Sequence, residues 1–349
     1  VKEQQAFERL EDEYDCAYGV PSGCCVAVSS GTSALHLACE VLRASHGYGR
    51  MRICVPDYTM VAVPRAVSMA DCDPVFVDVH ESDFTMDLRK LPPVYDALML
   101  VDTYGCSHWY DPKDSPLNEV PFIQDLSEAH GTQPDKRCFA ACWSFYKNKI
   151  VHGEEGGMIM FRDPEHGRLA RMLRSIGFTD AHDYTHIPRG VNARMSNLHA
   201  APILQSFYQL ETNSNHRLDI ALDYDRVFCA DSVEMTTDVN SGSMRACIST
   251  SNWVYPVRVV GMTYQQQNEV VHTLQSKKIA ARHGFKPMSS QQEYFDPYYR
   301  AKNIVTYKVA PEVFYLPITE TMTTPEALLI GELTMALIKR IVKGTVDNI

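Results

Sequence analysis

The first half of this chain alternates short, β-rich apolar runs with stretches of helical period, and that alternation limits its fold more than any other feature. Val26–Val28 leads into a helical pattern over Thr32–Ala44. Further apolar runs follow at Ile53–Val55, Val75–Val79, Ala97–Val101, Phe122–Gln124, Phe139–Trp143 and Met158–Phe161. Strands separated by helices pair through crossovers, which gives an α/β domain on a mainly parallel, mixed sheet. Ligands of such a domain sit on loops at strand ends and at helix N-termini.

The second half reads differently. Ser196 to about Val227 is long and helical in pattern, and a polar stretch without clear period follows over Ala230–Ser243. A domain boundary is placed there, giving a large domain over 1–228 and a smaller α+β domain over 229–349. In the latter, Trp253–Val260 and Phe314–Ile318 read as strands, and Thr324-Pro325-Glu326 starts the last helix with proline just inside.

Composition narrows the partners. A net charge of −10 disfavours a nucleic-acid surface, which would show a basic patch. No apolar stretch is long enough to span a bilayer and no signal-peptide pattern is found, so a cytoplasmic protein is expected. The chain begins at Val1 without an initiator methionine, and residues upstream of it are expected. Its 11 cysteines are scattered and read as reduced thiols. Cys138 and Cys142 lack the second half of a zinc-binding pattern, so no metal site is expected.

Four segments carry chemistry. In Trp143–Gly157 an apolar run ends in Ser-Phe-Tyr, and Lys149 then precedes a glycine-rich acidic turn. A lysine held still and partly desolvated there favours its neutral amine, the form that attacks an aldehyde to make a Schiff base. The run Ser29-Ser30-Gly31-Thr32-Ser33 leads from a strand into a helix, where backbone N–H groups and hydroxyls suit a phosphate. Asp125 ends an apolar strand, where a carboxylate is costly unless paired. Gly190–Ala201 reads only as a loop followed by a helix. Taken singly, each has an ordinary meaning: a solvated lysine, two helix N-caps and a polar loop.

Taken together, their order and spacing resemble the DegT/DnrJ/EryC1/StrS family of pyridoxal-phosphate (PLP) aminotransferases, which act mostly on keto sugars. SSGTSAL looks like the family's phosphate turn, and QDLSEAHG resembles E-D-A-A-[QHE]-A-H-G. SFYKNK resembles S-F-[HY]-x-x-K, which selects Lys149 rather than Lys147, and GVNARMSNLHAA resembles G-x-N-x-R-M-S-x-L-x-A-A. Val55–Thr59, Asp73–Val79 and Thr103–Gly105 fit as well. The resemblance implies a fold-type-I PLP-dependent transferase, similar to aspartate aminotransferase, with the small domain closing over the substrate.

By the same resemblance, Lys149 would hold PLP as a Schiff base and afterwards move a proton, and Asp125 would pair with the pyridine nitrogen. Glu128 would lie beside the ring. Gly31, Thr32, Ser33 and Ser144 would cradle the phosphate. Asn192 would reach the phosphate of the neighbouring subunit, making a homodimer the active unit. Arg194 matches an arginine near the interface and receives no role. Pyridoxamine 5′-phosphate would form midway, with L-glutamate as amino donor and a nucleotide-linked keto sugar as acceptor. Two departures matter. Met60 stands where the family carries an aromatic residue over the cofactor ring, and Ser289, in Phe285–Gln291, replaces a histidine near the substrate. They leave a keto-cyclitol or a modified nucleoside as alternative acceptors. A dehydratase of the same family is a further alternative, as is a PLP-binding protein that regulates without transaminating.

Overall fold

The computed structural model describes residues 4–47, 49–107, 116–179, 183–228, 249 and 251–343. Each apolar run of the first half is a strand: β1 (Cys25–Val28), β2 (Arg52–Pro56), β3 (Asp73–Val77), β4 (Ala97–Val101), β5 (Phe122–Asp125), β6 (Ala140–Ser144) and β7 (Gly157–Phe161). They form one sheet in the order β1-β7-β6-β5-β4-β2-β3. β3, β2, β4, β5 and β6 pair in parallel, whereas β7 runs antiparallel to both neighbours, β1 and β6. The central strands are buried on both faces because helices cover both, which is why they read as continuous apolar runs.

Alternate residues of each strand feed different cores. Val26, Val28, Ile53, Val55, Met99 and Ile123 pack under α2 (Gly31–Ser45), α3 (Ala62–Met69) and α4 (Pro164–Arg174). Cys25, Ala27, Leu98, Leu100 and Trp143 pack under α1 (Ala6–Tyr18) and α5 (Asn197–Tyr208). The single long helix expected over 196–227 is two helices. α5 ends at Tyr208 and α6 spans Leu210–Phe228. Gln209 between them turns its N–H back to the Ser206 carbonyl in a tighter, 3₁₀-type bond.

A second sheet holds β8 (Val254–Arg258), β9 (Arg282–His283) and β10 (Val313–Pro317) in the antiparallel order β8-β10-β9. Its core is closed by α6, α7 (Tyr264–Ser276) and α10 (Thr324–Ile338). Two short helices, α8 (Pro297–Lys302) and α9 (Ile304–Val309), lie between β9 and β10. Phe228, the last residue of the proposed large domain, is also the last of α6, and the polar stretch 230–243 lies outside the described residues. α6 itself buries Ile220, Ala221, Tyr224 and Phe228 against the small sheet.

Among the described residues eight cysteines are free thiols. Cys106 is disulfide-bonded, which corrects the expectation that all are reduced. Among the described residues no helix is long and apolar enough to cross a membrane. No group of His, Cys, Asp or Glu among them could hold a metal ion.

Candidate active site

The C-terminal ends of the parallel strands all open on one side of the sheet, and side chains from them converge there on a cavity of about 380 Å³. β1 runs into α2, whose first residues, Gly31 and Thr32, line it together with Ser30. β4 contributes Val101, β5 ends in Asp125 and leads to Ser127 and Glu128, and β6 ends in Ser144. The loop after β6 brings in Tyr146, Asn148, Lys149 and Glu155.

The cradle at the start of α2 is tight. Gly157, opening β7, pairs with Val28 on one side and Ser144 on the other. A Cβ on Gly31 would lie 2.6 Å from the Ser144 Cβ, so glycine is required for the helix start to approach β6. Ser30 caps the helix by accepting the Ser33 N–H. The Ser33 hydroxyl is engaged with Ser29 and Ser30, at 3.1 and 2.9 Å, and Ser33 does not line the cavity. The ring of His130 donates Nε2–H to the Ser144 carbonyl at 3.0 Å. Burial holds that imidazole neutral, with its pKa pushed down to about 3.

Among the described residues that line the cavity Lys149 is the one lysine or arginine, and its side chain is 11% exposed. Burial lowers its pKa, while the Glu128 and Asp125 carboxylates oppose the fall. Its Nζ lies 3.7 Å from Glu128 Oε1 and 3.9 Å from the centre of the Trp253 ring. The other Glu128 oxygen accepts the Tyr104 N–H at 2.7 Å, fixing a residue in the left-handed region at φ 56°. Burial also raises the pKa values of Asp125 and Glu128. Asp125 Oδ1 accepts the Ser127 N–H at 3.0 Å. The Asp102 N–H donates to the Asp125 carbonyl at 3.1 Å, and the Asp102 carboxyl is raised to about 6 by burial, with Ser107 donating to it at 2.6 Å.

These residues fit PLP. A desolvated amine faces the cavity, a buried carboxylate suits a protonated ring nitrogen, and a helix N-terminus with two hydroxyls suits a phosphate. Thr59 lines the same cavity, and its hydroxyl is buried with no hydrogen-bond partner among the described residues, an unsatisfied polar atom beside the site.

The structure brings Gly31, Thr32, Met60, Asp125, Glu128, Ser144 and Lys149 together in this cavity and leaves Ser33 and Asn192 out of it. Met60 is half exposed, and its sulfur accepts the Ala62 N–H at 3.0 Å. Asn192 and Arg194 are exposed on the loop that runs beside the end of β1, where the Ala193 carbonyl accepts the Ser29 N–H. Ser289 is fully buried away from the cavity and donates from Oγ to Asp57 at 2.7 Å, although Phe285 of the same segment lines the cavity. Asn148, Trp253 and Tyr315 carry no sequence signal, and Thr59 lies in the Val55–Thr59 segment of the resemblance without an expected role. Thr59 follows an apolar strand and could have been found by that position. Tyr315 comes from β10 of the second sheet and Trp253 from the residue just before β8, and nothing local marks them.

The family model described as DegT/DnrJ/EryC1/StrS aminotransferase matches residues 2–332. The chain is 29% identical to a dTDP-3-amino-3,4,6-trideoxy-alpha-D-glucose transaminase of Micromonospora megalomicea over 63% of this chain, and it spans only 60% of that relative's length. It is 28% identical to the GDP-perosamine synthase of Caulobacter vibrioides, over 77% of this chain and 74% of the relative. Spr1654 of Streptococcus pneumoniae, named as a sugar aminotransferase and solved in its PMP form, superposes with a TM-score of 0.81 at 18% identity. That superposition covers 98% of this chain and 92% of the other, and it establishes the shared fold.

Proposed function

This chain belongs to the DegT/DnrJ/EryC1/StrS aminotransferase family, and we propose that it moves an amino group from L-glutamate to a keto group of a nucleotide-linked sugar. Its cofactor is pyridoxal 5′-phosphate. When bound, that group supplies an electrophilic carbon and a ring that accepts electron density from the amino-bearing carbon.

The chain's own residues do the rest. Lys149 is the amine that bonds the cofactor, and once free it holds and moves a proton at the substrate's amino-bearing carbon. Asp125 keeps the ring nitrogen protonated. Glu128 holds the Lys149 amine on one side and the Tyr104 backbone on the other. Thr32, Ser144 and the backbone at Gly31 take the phosphate, and Ser33 orders that turn through Ser29 and Ser30. Asn192 of one protomer reaches the phosphate held by the other, so the working unit is a homodimer. Trp253, just before β8, and Tyr315 of β10 wall the space left for the acceptor. The observation that supports this reading best is the convergence of Lys149, Asp125 and Glu128 with the start of α2 on one cavity.

The test is a visible spectrum of the purified protein with PLP, followed by borohydride reduction and peptide mass mapping. Cofactor mass on Lys149, and conversion of the visible band to a pyridoxamine-type band on adding L-glutamate, are the expected results. A panel of nucleotide-linked keto sugars and keto-cyclitols then identifies the acceptor. Cofactor mass elsewhere, or a band that ignores every amino donor, would overturn the assignment.

A further inference from the structure

Trp253 precedes β8, in the part of the chain that carries the small sheet, yet its indole lies against the catalytic lysine proposed above. Lys149 Nζ sits 3.9 Å from the ring centre. The plate is fixed at two points. Its Nε1–H donates to the Asn148 carbonyl at 2.6 Å, beside Lys149 in the chain. Its own carbonyl accepts from Arg217 Nη1 of α6 at 3.0 Å. Arg217 is itself buried and also donates to the Ile318 carbonyl at 2.8 Å. The Tyr315 ring leans on Trp253 with centroids 5.9 Å apart. A ring held this firmly presents a fixed electron-rich face, and an ammonium on such a face is attracted most strongly when water is excluded.

Resting on the assignment of Lys149 as the cofactor lysine, we propose that Trp253 is a positioning residue. Its indole face and the Glu128 carboxylate form the berth that the Lys149 ammonium occupies whenever it is not bonded to the cofactor. The berth keeps the long side chain at the cavity wall, within reach of the reacting carbon, and favours its charged form. Among the described residues the other ionisable groups lining this space are Asp125, Tyr146, Glu155 and Tyr315, and His130 is held neutral on the Ser144 carbonyl. To bond the cofactor the ammonium gives up a proton, the amine adds to the aldehyde carbon, and water leaves without any redox change.

Removing the π face while keeping the site dry should therefore make the lysine easier to deprotonate. The proteins compared are wild type, Trp253→Phe and Trp253→Leu, each as full-length apoprotein mixed with saturating PLP. The measurement is the growth rate of the visible band of lysine-bound cofactor across a pH series. The pH midpoint should fall by about one unit in Trp253→Leu, a roughly tenfold faster uptake below the midpoint, and by less in Trp253→Phe, whose ring binds cations more weakly. Identical midpoints in all three proteins would overturn the proposal, since a residue that merely walls the cavity would not move them. If Trp253→Leu fails to fold, Trp253→Phe decides: a downward shift supports the berth and none overturns it. A wild type that forms no band, or a Lys149→Ala variant that keeps it, would instead refute the cofactor-lysine assignment, and the berth with it.

Discussion

Replacing Ser289 with alanine should weaken the fold and leave the active site untouched. Ser289 and Asp57 are both fully buried, at the junction between the end of β2 and the segment before α8. Asp57 accepts the Ser289 N–H and hydroxyl, each at 2.7 Å, and the Asn303 side-chain amide at 3.0 Å. Its backbone carbonyl also accepts the Met288 N–H. Burial raises the Asp57 pKa, and these donors restrain the rise. The alanine variant loses one hydrogen bond to a buried charged group, worth about 1.5–3 kcal/mol, together with the weaker contact of the same hydroxyl to the Tyr307 hydroxyl at 3.2 Å. Asn303 and the Ser289 amide remain, so about 2 kcal/mol is expected at neutral pH.

The pH dependence has a definite sign. A carboxyl whose folded pKa is raised favours the protonated fold, and the stability it contributes is lost as pH rises through the folded value. Donors limit that loss, so removing one enlarges it. The gap between wild type and variant should open as pH rises through the Asp57 titration and close below it. Thermal melting of the apoprotein across a pH series from acid to neutral reads this, with a loss of roughly 4 °C at the neutral end for about 2 °C per kcal/mol in a large unit. PLP uptake should match wild type. Unchanged melting with impaired uptake or acceptor turnover would refute this reasoning and return Ser289 to the substrate site.

Three further predictions concern the cavity. Glu128→Gln keeps an acceptor for the Tyr104 N–H but removes the charge facing Lys149, so PLP uptake should extend to lower pH with stability little changed. Glu128→Ala, by contrast, leaves that buried N–H unpaired and should cost about 1–3 kcal/mol in urea unfolding. Gly31→Ala drives a Cβ into Ser144, so the helix start must retreat from β6. Overpacking of this kind costs about 1–3 kcal/mol, and PLP affinity, read by fluorescence titration, should fall with it.

What could be read from the sequence follows from how locally each feature is encoded. The seven large-sheet strands were legible because a strand buried on both faces must be apolar throughout, and Ala97–Val101 shows this in one short run. The start of α2 was legible because a serine cap and small residues are a local demand of a helix meeting a strand end. The direction of β7 was not, since antiparallel and parallel partners of a buried strand need the same residues. The break at Gln209 was hidden because residues on both sides keep a helical period. The place of Ser289 is hidden from the sequence for a related reason. Its neighbour Phe285 does line the cavity, but a short 3₁₀ turn at Met288–Ser290 carries the serine away to Asp57. Trp253 is the extreme case: its ring matters only because α6, through Arg217, and Asn148 hold it over Lys149. An amine so placed answers to groups on two sheets at once. Its chemistry therefore depends on how the small sheet docks as much as on the motif that carries the lysine.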